Sequence, residues 1–163
     1  LDTRDLALTV SGAAEDARLP SSEYGRGRMP SEQMAFYRNK LAYETDSSDL
    51  YEALQQDESQ VVVIDGRSRD AFLAEHIPGA INVPHRTMSS ATLEGFAKDR
   101  RYVTYCDGIG CNASTKAAMN MVELGFDVTE LLGGLDWWRR DGYATEGKNA
   151  QPATSMSTCG CDG

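Results

Sequence analysis

Four consecutive β-branched residues, Val61-Val62-Val63-Ile64, run into Asp65 without a polar interruption. A strand with one wet face alternates apolar and polar residues, so an unbroken run of this kind fits a parallel strand covered on both faces. Three more short runs read as strands: residues 80–83 after the turn signal Pro78-Gly79, residues 101–105, and residues 128–132. Helical spacing fills the intervals. Residues 47–56 place Leu50, Ala53 and Leu54 on one face behind Asp46 as cap, and Ser68 opens a short helix through Ala71, Phe72 and Ala74. Residues 89–98 carry a weaker pattern through Leu93 and Phe96. Residues 113–124 carry the strongest, with Ala117, Met121, Val122 and Leu124 apolar and Gly125 as stop. Gly133-Gly134 then opens a last helix bearing Trp137 and Trp138. Strands alternating with helices specify a parallel α/β sheet.

The flanks differ from this centre. Residues 1–30 are rich in Gly, Ser, Asp, Glu and Arg, are punctuated by Pro20, Gly25, Gly27 and Pro30, and read as a mobile or surface-draped arm. Met34, Tyr37 and Leu41 recur behind Ser31, which predicts a short amphipathic helix over 31–42. From Thr145 onward the residues are small and polar and end in Cys159-Gly160-Cys161. The expected division is an amino-terminal extension 1–44, a central domain 45–146 and a flexible tail 147–163.

Charge narrows the partners. With 25 acidic against 16 basic side chains the formal charge is −9, which repels nucleic acid and anionic lipid, so neither a nucleic acid nor a membrane is expected as a partner. No apolar run approaches the roughly 18 residues of a membrane-spanning helix. A small anion can still bind, because backbone N–H groups act locally whatever the net charge. Four cysteines at 106, 111, 159 and 161, with none in the first 105 residues, do not make a disulfide framework and read as chemical. Together with the lack of an apolar export segment in residues 1–30, they give a cytoplasmic expectation.

The chemistry concentrates where the strand ending at Tyr105 meets the helix beginning at Ala113. Cys106 lies between them, followed by Asp107, Gly108, Ile109, Gly110, Cys111, Asn112 and Ala113. A cysteine between a strand and a helix N-terminus can have its thiolate held by loop N–H groups and the positive end of the helix dipole. The expectation is a thiol lowered from about 8.5 toward neutrality. Gly108 and Gly110 let the backbone turn inward, whereas Asp107 opposes the thiolate unless it faces solvent.

Asp65-Gly66-Arg67, the stretch Glu75-His76-Ile77-Pro78-Gly79-Ala80-Ile81-Asn82-Val83-Pro84, Tyr105-Cys106 with its loop, and Gly133-Gly134 followed by Trp138 and Gly142-Tyr143 resemble, in order and spacing, the rhodanese (sulfurtransferase) family over about residues 45–145. The resemblance implies a single rhodanese domain, a small doubly wound parallel α/β sheet of about five strands with helices on both faces. It implies that Cys106 takes a sulfane sulfur from a donor, usually the small anion thiosulfate, and holds it as a persulfide. Cyanide, a thiol or a protein sulfur acceptor then collects it. No metal and no organic cofactor is implied.

Two departures accompany the match. Many members carry an arginine about five residues after the nucleophile; here Cys111 stands there, no Arg lies between Cys106 and Arg139, and the loop is about two residues longer. The missing arginine also argues against a cysteine-loop phosphatase, which needs it to clamp a phosphate dianion. Three readings remain open: a sulfurtransferase, a sulfur-relay or partner-binding module with little turnover of small donors, and a thiol redox protein using Cys106 and Cys111. Cys111 is either a resolving thiol or a small buried residue at a helix start. Cys159 and Cys161 are either a sulfur- or metal-binding pair or an inert end, and two ligands fall short of the four of a structural zinc site.

Around the loop, Asp65 and Arg67 are either an internal ion pair tying loops together or substrate contacts. His85 and Arg86 sit near the carboxyl edge of the sheet, where ligands of open α/β sheets gather, or form an exposed loop pair. The resemblance implies that Trp138 packs on the sheet and leaves Trp137 partly exposed beside the pocket, and that His76 in its Glu-His-Ile-Pro-Gly motif is structural rather than a catalytic base.

Overall fold

The computed structural model describes residues 30–56 and 61–154 of the chain. Five strands form one sheet: β1 (Glu44–Thr45), β2 (Val61–Asp65), β3 (Ile81–Asn82), β4 (Arg101–Tyr105) and β5 (Asp127–Leu131). All neighbours are parallel and the order is β1-β5-β4-β2-β3. The helices among the described residues are α1 (Pro30–Tyr43), α2 (Ser47–Gln55), α3 (Arg69–Ala74), α4 (Ala113–Glu123) and α5 (Gly134–Arg140), with a 3₁₀ turn at His85–Thr87. No helix among the described residues is long and apolar enough to cross a membrane.

Alternation along the central strands divides the core in two. Val63, Val103 and Tyr105 face one side, where they meet Leu50 of α2 and Leu135 and Trp138 of α5. Ile64, Tyr102 and Val128 face the other, where they meet Met121 of α4 together with Leu93 and Phe126. The unbroken Val61–Ile64 run is therefore explained: β2 lies inside the sheet, paired to both β3 and β4, with apolar layers above and below.

Local chemistry fixes the helix ends. The Asp46 carboxylate accepts the Asp49 amide at 2.9 Å to start α2, and Ser68 Oγ accepts the Ala71 amide at 3.3 Å to start α3.

Several expectations need correction. The helix over 31–42 forms, within α1, but it has no buried residue. Met34, Tyr37 and Leu41 share one side while Phe36 and Tyr43 project from the opposite one, so the helix lacks a single apolar stripe. Residues 89–98 are a series of turns, not a helix: Ser89 and Thr92 cap one another in a single turn, and Gly95 at φ 88° ends it. Val122, read as apolar face, is exposed. The edge strand β1 straddles the expected boundary at 44/45 and escaped the sequence reading because two residues carry no periodicity.

The first part of the expected flexible tail is held to the domain. Lys148 and Asn149 donate to the carbonyls of Leu73 and Ala74, and Thr154 donates to that of Gly142 at 2.9 Å. The amino-terminal arm through residue 29 and the Cys159-Gly160-Cys161 end lie outside the described residues.

The fold also sets an alkaline limit. Tyr105 is fully buried, its hydroxyl accepting the Ile77 amide at 3.2 Å. Burial, then the nearby Asp65 charge, pushes this phenol far above its ordinary value. A raised folded-state pKa leaves stability intact below the unfolded phenol value of about 10 and removes it as pH climbs beyond. The unfolding free energy from urea titrations should hold to about pH 9.5 and then fall by up to about 1.4 kcal/mol per pH unit for this one phenol, and Tyr105→Phe should flatten that slope.

Candidate functional site

The chain runs from β2 to β3 on one side, then crosses back to β4 on the other, so the carboxyl ends of β2 and β4 flank the switch point of the sheet. Gly66-Arg67 leaves β2 there, and Cys106 leaves β4 immediately after Tyr105. The loop is clasped by α5, whose first-turn amides of Leu135 and Asp136 donate to the carbonyls of Cys106 and Asp107 at 3.0 and 2.8 Å. This approach requires glycine at 134: a Cβ there would stand 2.3 Å from the Cys106 carbonyl oxygen.

Cys106 itself is 3% exposed. Its sulfur lies 3.1 Å from Ser114 Oγ, 3.2 Å from the Cys111 carbonyl and 3.7 Å from the Gly108 carbonyl. The thiol was expected to be lowered, and here the structure disagrees. Burial pushes it up, and the Cys111 thiol adds to the rise, while the Ser114 hydroxyl and the Ser114 and Gly108 amides oppose it without prevailing. The physical reason is that the loop closes over the sulfur: the cost of burying a thiolate outweighs the hydrogen bonds that Ser114 and the Gly108 amide offer it. Alkylation of Cys106 by iodoacetamide should therefore climb about tenfold per pH unit from 7 to 8.5 with no plateau, because only the thiolate reacts. A plateau below pH 7 would contradict this placement.

Ser114, the residue after this loop stretch, carries no signal of a role in the sequence; the structure places it between two acceptors. Its hydroxyl lies 2.7 Å from Glu130 Oε1 as well as 3.1 Å from the Cys106 sulfur, and Thr115 Oγ1 reaches the same carboxylate oxygen at 2.8 Å. One hydroxyl has one proton, so Glu130 and the sulfur compete for it. Glu130 was missed entirely. The only signal was a charged residue inside the otherwise uncharged strand stretch Val128-Thr129-Glu130-Leu131-Leu132.

Asp65 and Arg67 form the internal ion pair. Arg67 Nε bonds Asp65 at 3.0 and 3.1 Å and an Nη bonds it at 2.7 Å, while the other Nη reaches Asp107 at 2.7 Å and the Glu75 carbonyl accepts at 2.6 Å. The guanidinium thus joins the end of β2 to the Cys106 loop. Asp107 keeps most of its side chain in solvent, as the thiolate would require.

The remaining expected residues divide between two hollows. One, of about 390 Å³, lies among Gly66, Arg67, Pro84, His85, Arg86, Asp107 and Ala113, and the cysteine on its wall is Cys111. His85 faces it with Nδ1 on the Gly66 carbonyl at 3.1 Å. The other, of about 320 Å³, is lined by Ile109, Leu132 and Trp137 with Asp46 and Asp141. Trp137 is half-exposed and Trp138 buried, as the sequence suggested. Asn112 precedes α4 without a side-chain cap, and Gly110 turns at φ 94°. His76 is structural: it stacks on Phe72 at 3.9 Å, and its backbone exchanges hydrogen bonds with Glu146.

Comparison with known proteins agrees with this architecture. Residues 46–141 match the model of the rhodanese-like domain. The chain is similar to the BH2092 protein from Bacillus halodurans, at 36% identity over 77% of this chain and 92% of that one, with a TM-score of 0.71. It is also similar to the rhodanese-like domain of the Alr3790 protein from Anabaena sp., at 27% identity over 74% and 87% of the two chains, with a TM-score of 0.59. Among curated proteins it is 32% identical over 92 residues to the HTH-type transcriptional regulator Rv0324 of Mycobacterium tuberculosis, a stretch that is 56% of this chain and 40% of the regulator. The chain thus spans less than half the length of that relative.

Proposed function

The chain belongs to the rhodanese-like domain family, and from that premise we propose that it is a sulfurtransferase that carries sulfane sulfur as a persulfide on Cys106. The observation that carries this reading is the Cys106 thiol at the switch point, in hydrogen-bond reach of Ser114 and enclosed by the loop from Asp107 to Ala113. In the first step the Cys106 thiolate attacks the outer sulfur of a donor such as thiosulfate. A new S–S bond forms, the donor's S–S bond breaks, and sulfite leaves with the electron pair. In the second, cyanide or a thiol attacks the outer sulfur and Cys106 departs as thiolate. No external oxidant or reductant is consumed.

Ser114 donates to the thiolate once the proton has left, and Glu130 Oε1 competes for that donor. Two substitutions should accordingly act in opposite directions on the alkylation rate of Cys106 at pH 7. Ser114→Ala removes the donor and should slow it about three- to tenfold, the scale of one hydrogen bond to a charged group. Glu130→Gln weakens the competing acceptor and should raise it by a few-fold. Equal slowing by both would reduce the pair to a structural tie.

The turnover test is sulfite release. Without an acceptor, thiosulfate should release about one sulfite per Cys106, and steady-state rates with cyanide should follow a two-step, ping-pong pattern. Sulfite release that requires the acceptor would contradict the reading. The relay reading has one observation in its favour: the loop carries no arginine, and the nearby Arg67 is engaged by Asp65 and Asp107, so no loop cation is left for a dianionic donor. Under it, a protein thiol replaces cyanide as acceptor and thiosulfate is a poor donor.

A further inference from the structure

The loop that carries Cys106 displays an apolar side chain at its tip. Ile109 is 80% exposed, and across the 320 Å³ hollow beside it stand Leu132 and Trp137, 44% and 45% exposed. Three large apolar side chains gathered on one surface beside a nucleophile differ from the scattered exposed residues of an ordinary surface. The rim has one sign of charge left over. Asp136 is paired with Arg139 and Arg140, and Asp107 with Arg67, but Asp141 has no ion-pair partner among the described residues. The Asp46 carboxylate accepts the Asp49 amide with one oxygen and has no ion-pair partner among the described residues. The hollow therefore joins an apolar floor to two carboxylates without cations, on a chain of net charge −9.

From this juxtaposition we propose that the Ile109–Leu132–Trp137 hollow docks a polypeptide segment that presents an apolar side chain flanked by lysine or arginine. On the sulfur-transfer reading, on which this proposal rests for its purpose, that segment belongs to a protein thiol that gives sulfur to Cys106 or takes it away. The apolar side chain fills the hollow and the basic residues meet Asp46 and Asp141. A nucleic acid or an anionic lipid surface has the wrong charge for this rim, and a small anion gains nothing from its floor.

The test separates docking from chemistry by using peptides that carry serine in place of cysteine. Three fluorescently labelled peptides of equal length are titrated against the full chain: one with a central leucine between lysines, one with the lysines replaced by glutamates, and one with the leucine replaced by serine. The lysine–leucine peptide should bind at least about tenfold more tightly than either of the others, with the margin over the glutamate peptide shrinking at high salt. Asp141→Lys should abolish the preference for lysine over glutamate, and Leu132→Ser the preference for leucine over serine; because the two act on different margins, misfolding of one leaves the other to decide. Equal affinities for the three peptides would overturn the proposal. So would self-association of the protein that Leu132→Ser removes, which would assign the face to a second copy of the chain. Since no sulfur moves in this experiment, its failure leaves persulfide formation on Cys106 standing, and the absence of a persulfide leaves the binding result readable.

Discussion

Arg67→Leu is expected to destabilise the domain by about 3–5 kcal/mol, the usual consequence of removing one partner from a buried ion pair. The carboxylate it would abandon, Asp65, has no exposed surface, and Arg67 itself is only 7% exposed. Its guanidinium supplies the charged donors to Asp65, holds Asp107 and the Glu75 carbonyl, and lies 5.6 Å from the Tyr105 ring. Loss of so many contacts in one place exceeds the effect of an ordinary substitution. Urea unfolding of the variant should show the midpoint shift, and the double variant Asp65→Leu/Arg67→Leu should recover part of it, because an apolar pair leaves no unpaired charge. A loss below 1 kcal/mol would mean that water reaches the pair. Loosening of the Asp107 contact should also unsettle the Cys106 loop, so any transfer activity should fall in protein that is still folded.

Cys106→Ser is expected to lower sulfur transfer by about three orders of magnitude or more, as removal of a covalent nucleophile does, while stability changes by less than about 1 kcal/mol. The serine oxygen is smaller than the sulfur and can keep the Ser114 contact, so the loop has no reason to collapse. Thiocyanate formation from thiosulfate and cyanide measures the first effect and urea unfolding the second. A serine variant that turned over at the wild-type rate would displace the nucleophile from residue 106.

Much of the fold was legible because its signals are local and strong. The Val61–Ile64 run, the Asp46 and Ser68 caps, the Pro78-Gly79 turn and the Gly125 stop each report their own neighbourhood, and each has its counterpart in the structure. The misreadings occur where local pattern and tertiary context part. Residues 89–98 place Leu93 in the core from a chain of turns, and Leu93 and Phe96 stand at a helical spacing whether or not a helix forms. Residues 148–154 are small or polar, yet their backbone finds partners on α3 and at Gly142 that composition does not announce.

The site was legible to the same degree. The cysteine, its loop and the Asp65–Arg67 pair follow from motif order. The protonation balance of the thiol does not, because it depends on how deeply the loop buries the sulfur and on which backbone atoms face it. The competition at Ser114 was also out of reach, since it joins the start of α4 to Glu130 on β5, 16 residues apart in sequence and 2.7 Å apart in space.

The central claim, that Cys106 carries a transferable sulfur, is tested most directly by intact-protein and peptide mass spectrometry after incubation with thiosulfate. The account predicts a gain of one sulfur atom on the peptide containing Cys106, lost on adding cyanide and absent from Cys106→Ser. A peptide that instead loses two hydrogens, with Cys106 joined to Cys111, or a gain that persists in the serine variant, would contradict it.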